Sequence, residues 1–213
     1  MAIGPVARIT PIPLSRRRRV LTDLARIVST IFNPFLTALA LFVILAHATA
    51  SDTPGFWRML FLCAFFTSIG PMLYVLWLYA TDRIADLDMS VRREREKVFF
   101  TFVLFYALGS LTLWLVHAPA VLIATMSAYT IAALVVQYIT RYWKISTHAL
   151  GITAPLVGLT YLYGQQPLPF LILIPIVGWS RVYLRAHTVL QVIAGMLLGL
   201  LSVLVFYHAF RLM

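Results

Sequence analysis

The chain has 213 residues, of which 62% are hydrophobic and only 11% charged, with a formal net charge of +10. That apolar content excludes a water-facing surface over most of a chain this long, so lipid must solvate it. A bilayer satisfies no backbone hydrogen bonds, and the apolar runs are continuous where a barrel would alternate. The expected fold is therefore all-α, a polytopic transmembrane helical bundle.

Residues 1–26 read as a basic N-terminal segment containing Arg8, Arg16 to Arg19 and Arg26, and residues 27–213 as one transmembrane helical domain. A crossing needs about 20 apolar residues. On that rule the sequence predicts about seven spans (six to seven), at 27–49, 57–80, 98–116, 120–139, 149–163, 168–183 and 188–207. The fifth and sixth are short, and the sixth carries Pro169 and Pro175. No small-residue cleavage site follows the first run, which is expected to be an uncleaved helix. Cys63 lies inside the second run without an intrachain partner and reads as a packing residue.

Most connections are tight, but residues 81–97 form a zwitterionic loop. Arg83, Arg92, Arg93, Arg95 and Lys97 stand there among Asp82, Asp86, Asp88, Glu94 and Glu96. With seven spans, parity puts the N-terminus, this loop and the segments 140–148 and 180–187 on one face. Of 17 Lys and Arg, only Arg58 and Arg211 then fall on the other. The positive-inside rule makes the rich face cytoplasmic in a multi-pass protein of the cell membrane. Cations set beside apolar runs meet lipid headgroups, so membrane lipids are the expected partners and nucleic acid is not. Association with further copies or with a membrane complex is left open.

His148 and His187 both fall on the rich face, each where a span begins. In Ser180-Arg181-Val182-Tyr183-Leu184-Arg185-Ala186-His187-Thr188-Val189-Leu190-Gln191, Gln191 is one helical turn after His187 and can meet its ring. In Lys144-Ile145-Ser146-Thr147-His148, a hydroxyl precedes a histidine at a helix start, where free N–H groups and a positive dipole end suit a phosphate. Cations, amides and imidazoles together fit phosphoryl chemistry.

At these residues the chain resembles the type 2 phosphatidic acid phosphatase family, the lipid phosphate phosphatases. The family's third motif, Ser-Arg, five residues, His, three residues, Asp, has the spacing of Ser180 to Gln191, with Gln191 in the Asp position. Its second motif, Pro-Ser-Gly-His, is matched by Ile145-Ser146-Thr147-His148 at two of four residues. Its first, Lys, six residues, Arg-Pro, is matched only by Arg95-Glu96, with Asp88 in the Lys position and Arg92 or Arg93 as a shifted cation.

The resemblance implies hydrolysis of a lipid phosphate or isoprenoid diphosphate. His187 would form a phosphohistidine and His148 would protonate the leaving oxygen. Arg181, Arg95, Arg93 and Ser146 would bind the phosphate, and no metal or other cofactor would be required. Gln191 can accept the same hydrogen bond as an aspartate but adds no charge; the analogous Asp to Asn change in the serine-protease triad costs about 10⁴ in rate. Either Asp88, Glu94 or Glu96 supplies the acid, or turnover is slow or absent. Two other expectations stand beside this one: a catalytically silent relative that binds anionic lipid or serves as a complex subunit, and a Mg²⁺-dependent transferase using Asp82, Asp86 and Asp88.

Overall fold

The computed structural model describes residues 15–87 and 91–212, the side chain of Arg92 apart. Among them every regular element is helical. Ser15 caps α1 (Arg16–Ile31) by accepting from the Arg18 N–H. The chain then breaks at Asn33-Pro34, because proline has no N–H to donate and forces its predecessor out of helical geometry. Asn33 caps α2 (Pro34–Thr49) through the Phe35 N–H at 2.8 Å, and the two helices bend by 46°. The first helix therefore starts at Arg16, and part of the segment expected to precede the first span is itself helical.

α3 (Thr53–Ala64) continues through a π-helical turn (Phe65–Ile69) into α4 (Gly70–Ala80). Pro71 removes an N–H from the ladder there, and the widened turn accommodates its ring. α5 (Arg92–Leu115) and α6 (Ala120–Thr140) pack on each other across the short 117–119 turn. α7 (Thr147–Tyr163) starts at the Ser146 cap, and a 3₁₀ turn (Leu168–Ile172) leads into α8 (Leu173–Tyr183). α9 (Val189–Ala209) closes the bundle.

The expected spans fall on helical segments, except that the first, 27–49, is broken at Phe32-Asn33 between α1 and α2 and the sixth begins with the 3₁₀ turn. Among the described residues, Thr53–Ala80, Arg93–Leu115, Ala120–Thr140 and Val189–Ala209 are long and apolar enough to cross a membrane, and the bent α1–α2 pair gives up to five such elements. The other two helical segments, α7 at 17 residues and Leu168–Tyr183, are shorter. α7 is the inner element, packed against α2, α8 and α9 with most of its first three turns buried.

Helices in lipid gain little from excluding water and associate instead through close packing. The contact of α7 with α9 shows how close. A Cβ at Gly195 would stand 2.3 Å from the Ser146 carbonyl oxygen, and one at Gly199 would stand 2.9 Å from that of Leu150. The close approach lets the Ser146 N–H donate to the Gln191 carbonyl at 3.1 Å, joining the start of α7 to the first turn of α9. A buried Thr125 Oγ1–Tyr207 Oη hydrogen bond of 2.9 Å ties α6 to the other end of α9.

Because the obstacle at Gly195 is backbone, Gly195→Ala is expected to destabilise the bundle by about 1–3 kcal/mol. The lipid-facing control Leu197→Ala is expected to change stability little. Thermal unfolding of the two purified variants in one detergent measures the difference, and equal midpoints would contradict the packing account.

Candidate active site

The α8–α9 connection explains the spacing between Arg181 and His187. α8 ends in a left-handed turn: Arg185, at φ 54°, lets its own N–H reach the Val182 carbonyl at 2.9 Å and the Ala186 N–H reach that of Arg181 at 3.0 Å. The His187 N–H also points to the Arg181 carbonyl, at 3.2 Å. Thr188 then caps α9, its hydroxyl accepting from the Gln191 N–H while Gln191 Oε1 accepts from the Thr188 N–H at 3.0 Å. One helix end, one turn and one cap thus bring Arg181 and His187 to the same place.

That place is a cavity of about 350 Å³ between α1, α2, α5, α6, α7 and α8. His148 and His187 both line it, with Arg26, Arg95, Lys144 and Arg181. No Asp or Glu lines it among the described residues. Ser29, Thr30, Asn33 and Thr147 add polar groups, and much of the remaining wall is apolar or aromatic, including Phe35 and Ala38 of α2, Phe102 and Tyr106 of α5, and Tyr129 and Ala132 of α6. A cationic end and an apolar end share one space.

Arg181 is almost wholly buried, and its guanidinium donates to the Ser29 hydroxyl of α1. His148 hydrogen-bonds the Ser29 main chain. The Gln191 amide decides the His187 tautomer. Its oxygen already faces the Thr188 N–H, which can only donate, and lies 3.3 Å from His187 Nδ1. Nδ1 must therefore carry the proton, leaving the Nε2 lone pair available for chemistry. Burial, then Lys144 and Arg181, push the His187 imidazole down to about 3 against the stabilising Gln191 hydrogen bond, and Arg95 lowers it further. His187 is therefore neutral at neutral pH.

Of the residues singled out from sequence, the structure brings His148, His187, Arg181 and Arg95 to the cavity wall and sets Gln191 directly behind His187. Ser146 is fully buried, caps α7 through the Ala149 N–H at 3.3 Å and does not line the cavity. Arg93 is exposed and lines a separate pocket with Arg83, Glu94 and Lys97. Glu94 accepts from the Ala85 N–H, and neither it nor Glu96 lines the cavity. Asp82 and Asp86 do not line it either, and Asp88 lies outside the described residues.

Sequence reasoning missed Arg26, Ser29 and Thr30 of α1, together with Thr147. It counted Lys144 for topology but not for the site. Only Thr147 and Lys144 stood within the second-motif segment, where their position signalled a role; nothing in the pattern of α1 did.

The family model of the PAP2 superfamily matches residues 136–212, which carry the second and third motifs. The chain belongs to the type 2 phosphatidic acid phosphatase-like family. Sphingosine-1-phosphate phosphatase 1 of Rattus norvegicus is 32% identical over 155 residues, covering 69% of this chain and 34% of that protein. Its Mus musculus counterpart is 34% identical over 149 residues, covering 66% and 33%. The chain thus spans about a third of the length of the curated relatives it matches. No solved structure matches it.

In this family member the His187 ring is expected to remain neutral and Nδ1-protonated from about pH 5 to 8. Gln191→Asp is expected to raise its pKa, because a carboxylate favours the cationic ring. Imidazole ¹⁵N shifts of histidine-labelled protein follow both, and a wild-type His187 titrating near its ordinary 6.5 would contradict the assignment.

Proposed function

We propose that this chain is a membrane phosphatase that hydrolyses a lipid phosphate or isoprenoid diphosphate through a phosphohistidine at His187. The observation that carries the reading is the single cavity: two imidazoles and four cations at one end, an apolar wall at the other. A phosphorylated headgroup fits the first and a hydrocarbon tail the second.

The steps follow from atoms on this chain. The His187 Nε2 lone pair attacks phosphorus as the bond to the ester oxygen breaks, and that oxygen takes a proton from His148. Water next attacks the phosphohistidine, giving a proton back to His148 and releasing inorganic phosphate with neutral His187. Arg181, Arg95 and Lys144 stabilise the charge on the nonbridging oxygens, where a low-dielectric wall strengthens each contact. Ser146 acts indirectly, by holding the start of α7. The reaction written this way calls for no metal.

Gln191 supports a second reading, a silent family member that binds anionic lipid. Its amide oxygen serves both the α9 cap and His187, and it offers no charge to the cationic imidazole that the leaving step creates.

Phosphate release from lipid phosphates in the presence of EDTA separates the readings. Wild type is expected to release phosphate, His187→Ala to fall to background, and His148→Ala to lose about 10²–10⁴-fold. Gln191→Asp is expected to gain rate. Acid-labile ³²P on wild type but not on His187→Ala would report the intermediate. Tight binding without release supports the silent reading, and release only with added Mg²⁺ supports transfer or hydrolysis through the loop acids.

The charge bias supports a cytoplasmic site in the cell membrane. Cysteine labelling at Ser15 in intact cells is expected to require permeabilisation, whereas labelling at Asp52 is not. Labelling of both from the same side would break the seven-span topology.

A further inference from the structure

α1 belongs to the site, although no motif marks it. Arg26, Ser29 and Thr30 line the cavity, and Ser29 meets Arg181 through its hydroxyl and His148 through its main chain. Ala25 and Ser29 are buried, and the helix packs on α8. Among the described residues the opposite side has no protein partner. Val20, Leu24, Ile27 and Ile31 are each about half exposed, and their spacing of four, three and four residues forms one stripe along the helix. Arg16, Arg17, Arg18 and Arg19 are all exposed at its start.

This combination suits neither of the two bulk phases. Four guanidinium groups, with Asp23 and Arg26, resist placement in hydrocarbon, and the apolar stripe resists water. α2 is 16 residues long, a rise of about 24 Å, which falls short of a hydrocarbon core of about 30 Å by an amount that local thinning of the bilayer can absorb without the arginine-bearing start of α1. The 46° bend at Asn33-Pro34 turns α1 away from the axis of α2.

We propose that α1 lies in the membrane interface. Arg16 to Arg19 dock on anionic lipid headgroups, the Val20–Leu24–Ile27–Ile31 stripe enters the acyl boundary, and the docked helix holds Ser29 against Arg181 and His148. A guanidinium cluster beside an apolar stripe is the pattern that anionic bilayers bind, by charge and by buried apolar area together. The docking stands on its own; only its effect on turnover rests on the phosphatase reading.

The test places a nitroxide on Leu24→Cys in a Cys63→Ala background. The protein is reconstituted in nanodiscs of phosphatidylcholine, alone or with about 30% phosphatidylglycerol, an anionic lipid. With anionic lipid the probe is expected to lie in the acyl region. Arg16→Gln, Arg17→Gln, Arg18→Gln and Arg19→Gln are expected to shift it toward water, each weakening docking about fivefold. High salt is expected to do the same to the unsubstituted arginines, which controls for misfolding of the variants. Hydrolysis of a lipid phosphate, assayed in parallel, is expected to fall with the probe's depth.

A probe in water in both lipids, or one unmoved by the arginine changes and by salt, would overturn the proposal. Normal docking with hydrolysis unaffected by loss of the arginines would overturn the coupling to the site. Normal docking with no hydrolysis in any arm would count against the phosphatase reading and leave the docked helix standing.

Discussion

A single backbone hydrogen bond, from the Ser146 N–H to the Gln191 carbonyl, brings the two histidine-bearing segments together. His148 follows Ser146 by two residues, and His187 precedes Gln191 by four. The bond forms because Gly195 has no side chain where a Cβ would press on the Ser146 carbonyl. In lipid, where close packing replaces the hydrophobic effect as the force between helices, that missing methylene is a structural requirement. Position and chemistry are coupled here: a shift of a few tenths of an ångström between α7 and α9 is a shift between the two imidazoles.

The Gln191 side chain serves a different balance. As the third residue of α9 it satisfies a helix-start N–H, and the same oxygen sets the His187 tautomer. An aspartate in its place would cap the helix and also stabilise the positive ring. The amide retains the geometry and gives up the charge. Burial and the neighbouring Lys144, Arg181 and Arg95 keep the His187 ring neutral and lower its basicity, against the Gln191 hydrogen bond. A bound phosphate dianion would offset part of that cationic field, so the arrangement is suited to the loaded site more than to the empty one.

The cavity also gives physical meaning to the membrane setting. Its cationic part is built largely from helix termini and loops: Arg95, His148 and Arg181 stand in the first or last turns of their helices, and Lys144 and His187 in connections. Its apolar end is built from the sides of α2, α5 and α6. The lipid phosphate proposed as substrate would set its head among the cations and its tail against that wall. α1 joins this space through Ser29, which links the surface segment to Arg181 and His148.

The sequence by itself determined the helical membrane class, the approximate helical segments and the pairing of Arg181, His187 and Gln191. Apolar run length is dictated by bilayer thickness, and the motif spacing is dictated by one helix end, one turn and one cap, all of which are local. It assigned Arg95, Arg93 and Ser146 alike to the phosphate and offered Glu94 as an acid without being able to sort them, because a side chain in a loop or at a helix start can face several ways at the same sequence distance. Only the tertiary structure turned Arg95 into the cavity and Arg93 out of it, made Ser146 a cap, and brought Ser29 to residues more than a hundred positions away. Those outcomes depend on how α1, α5 and α7 approach one another, and contacts between distant helices leave no period or spacing in the chain to read.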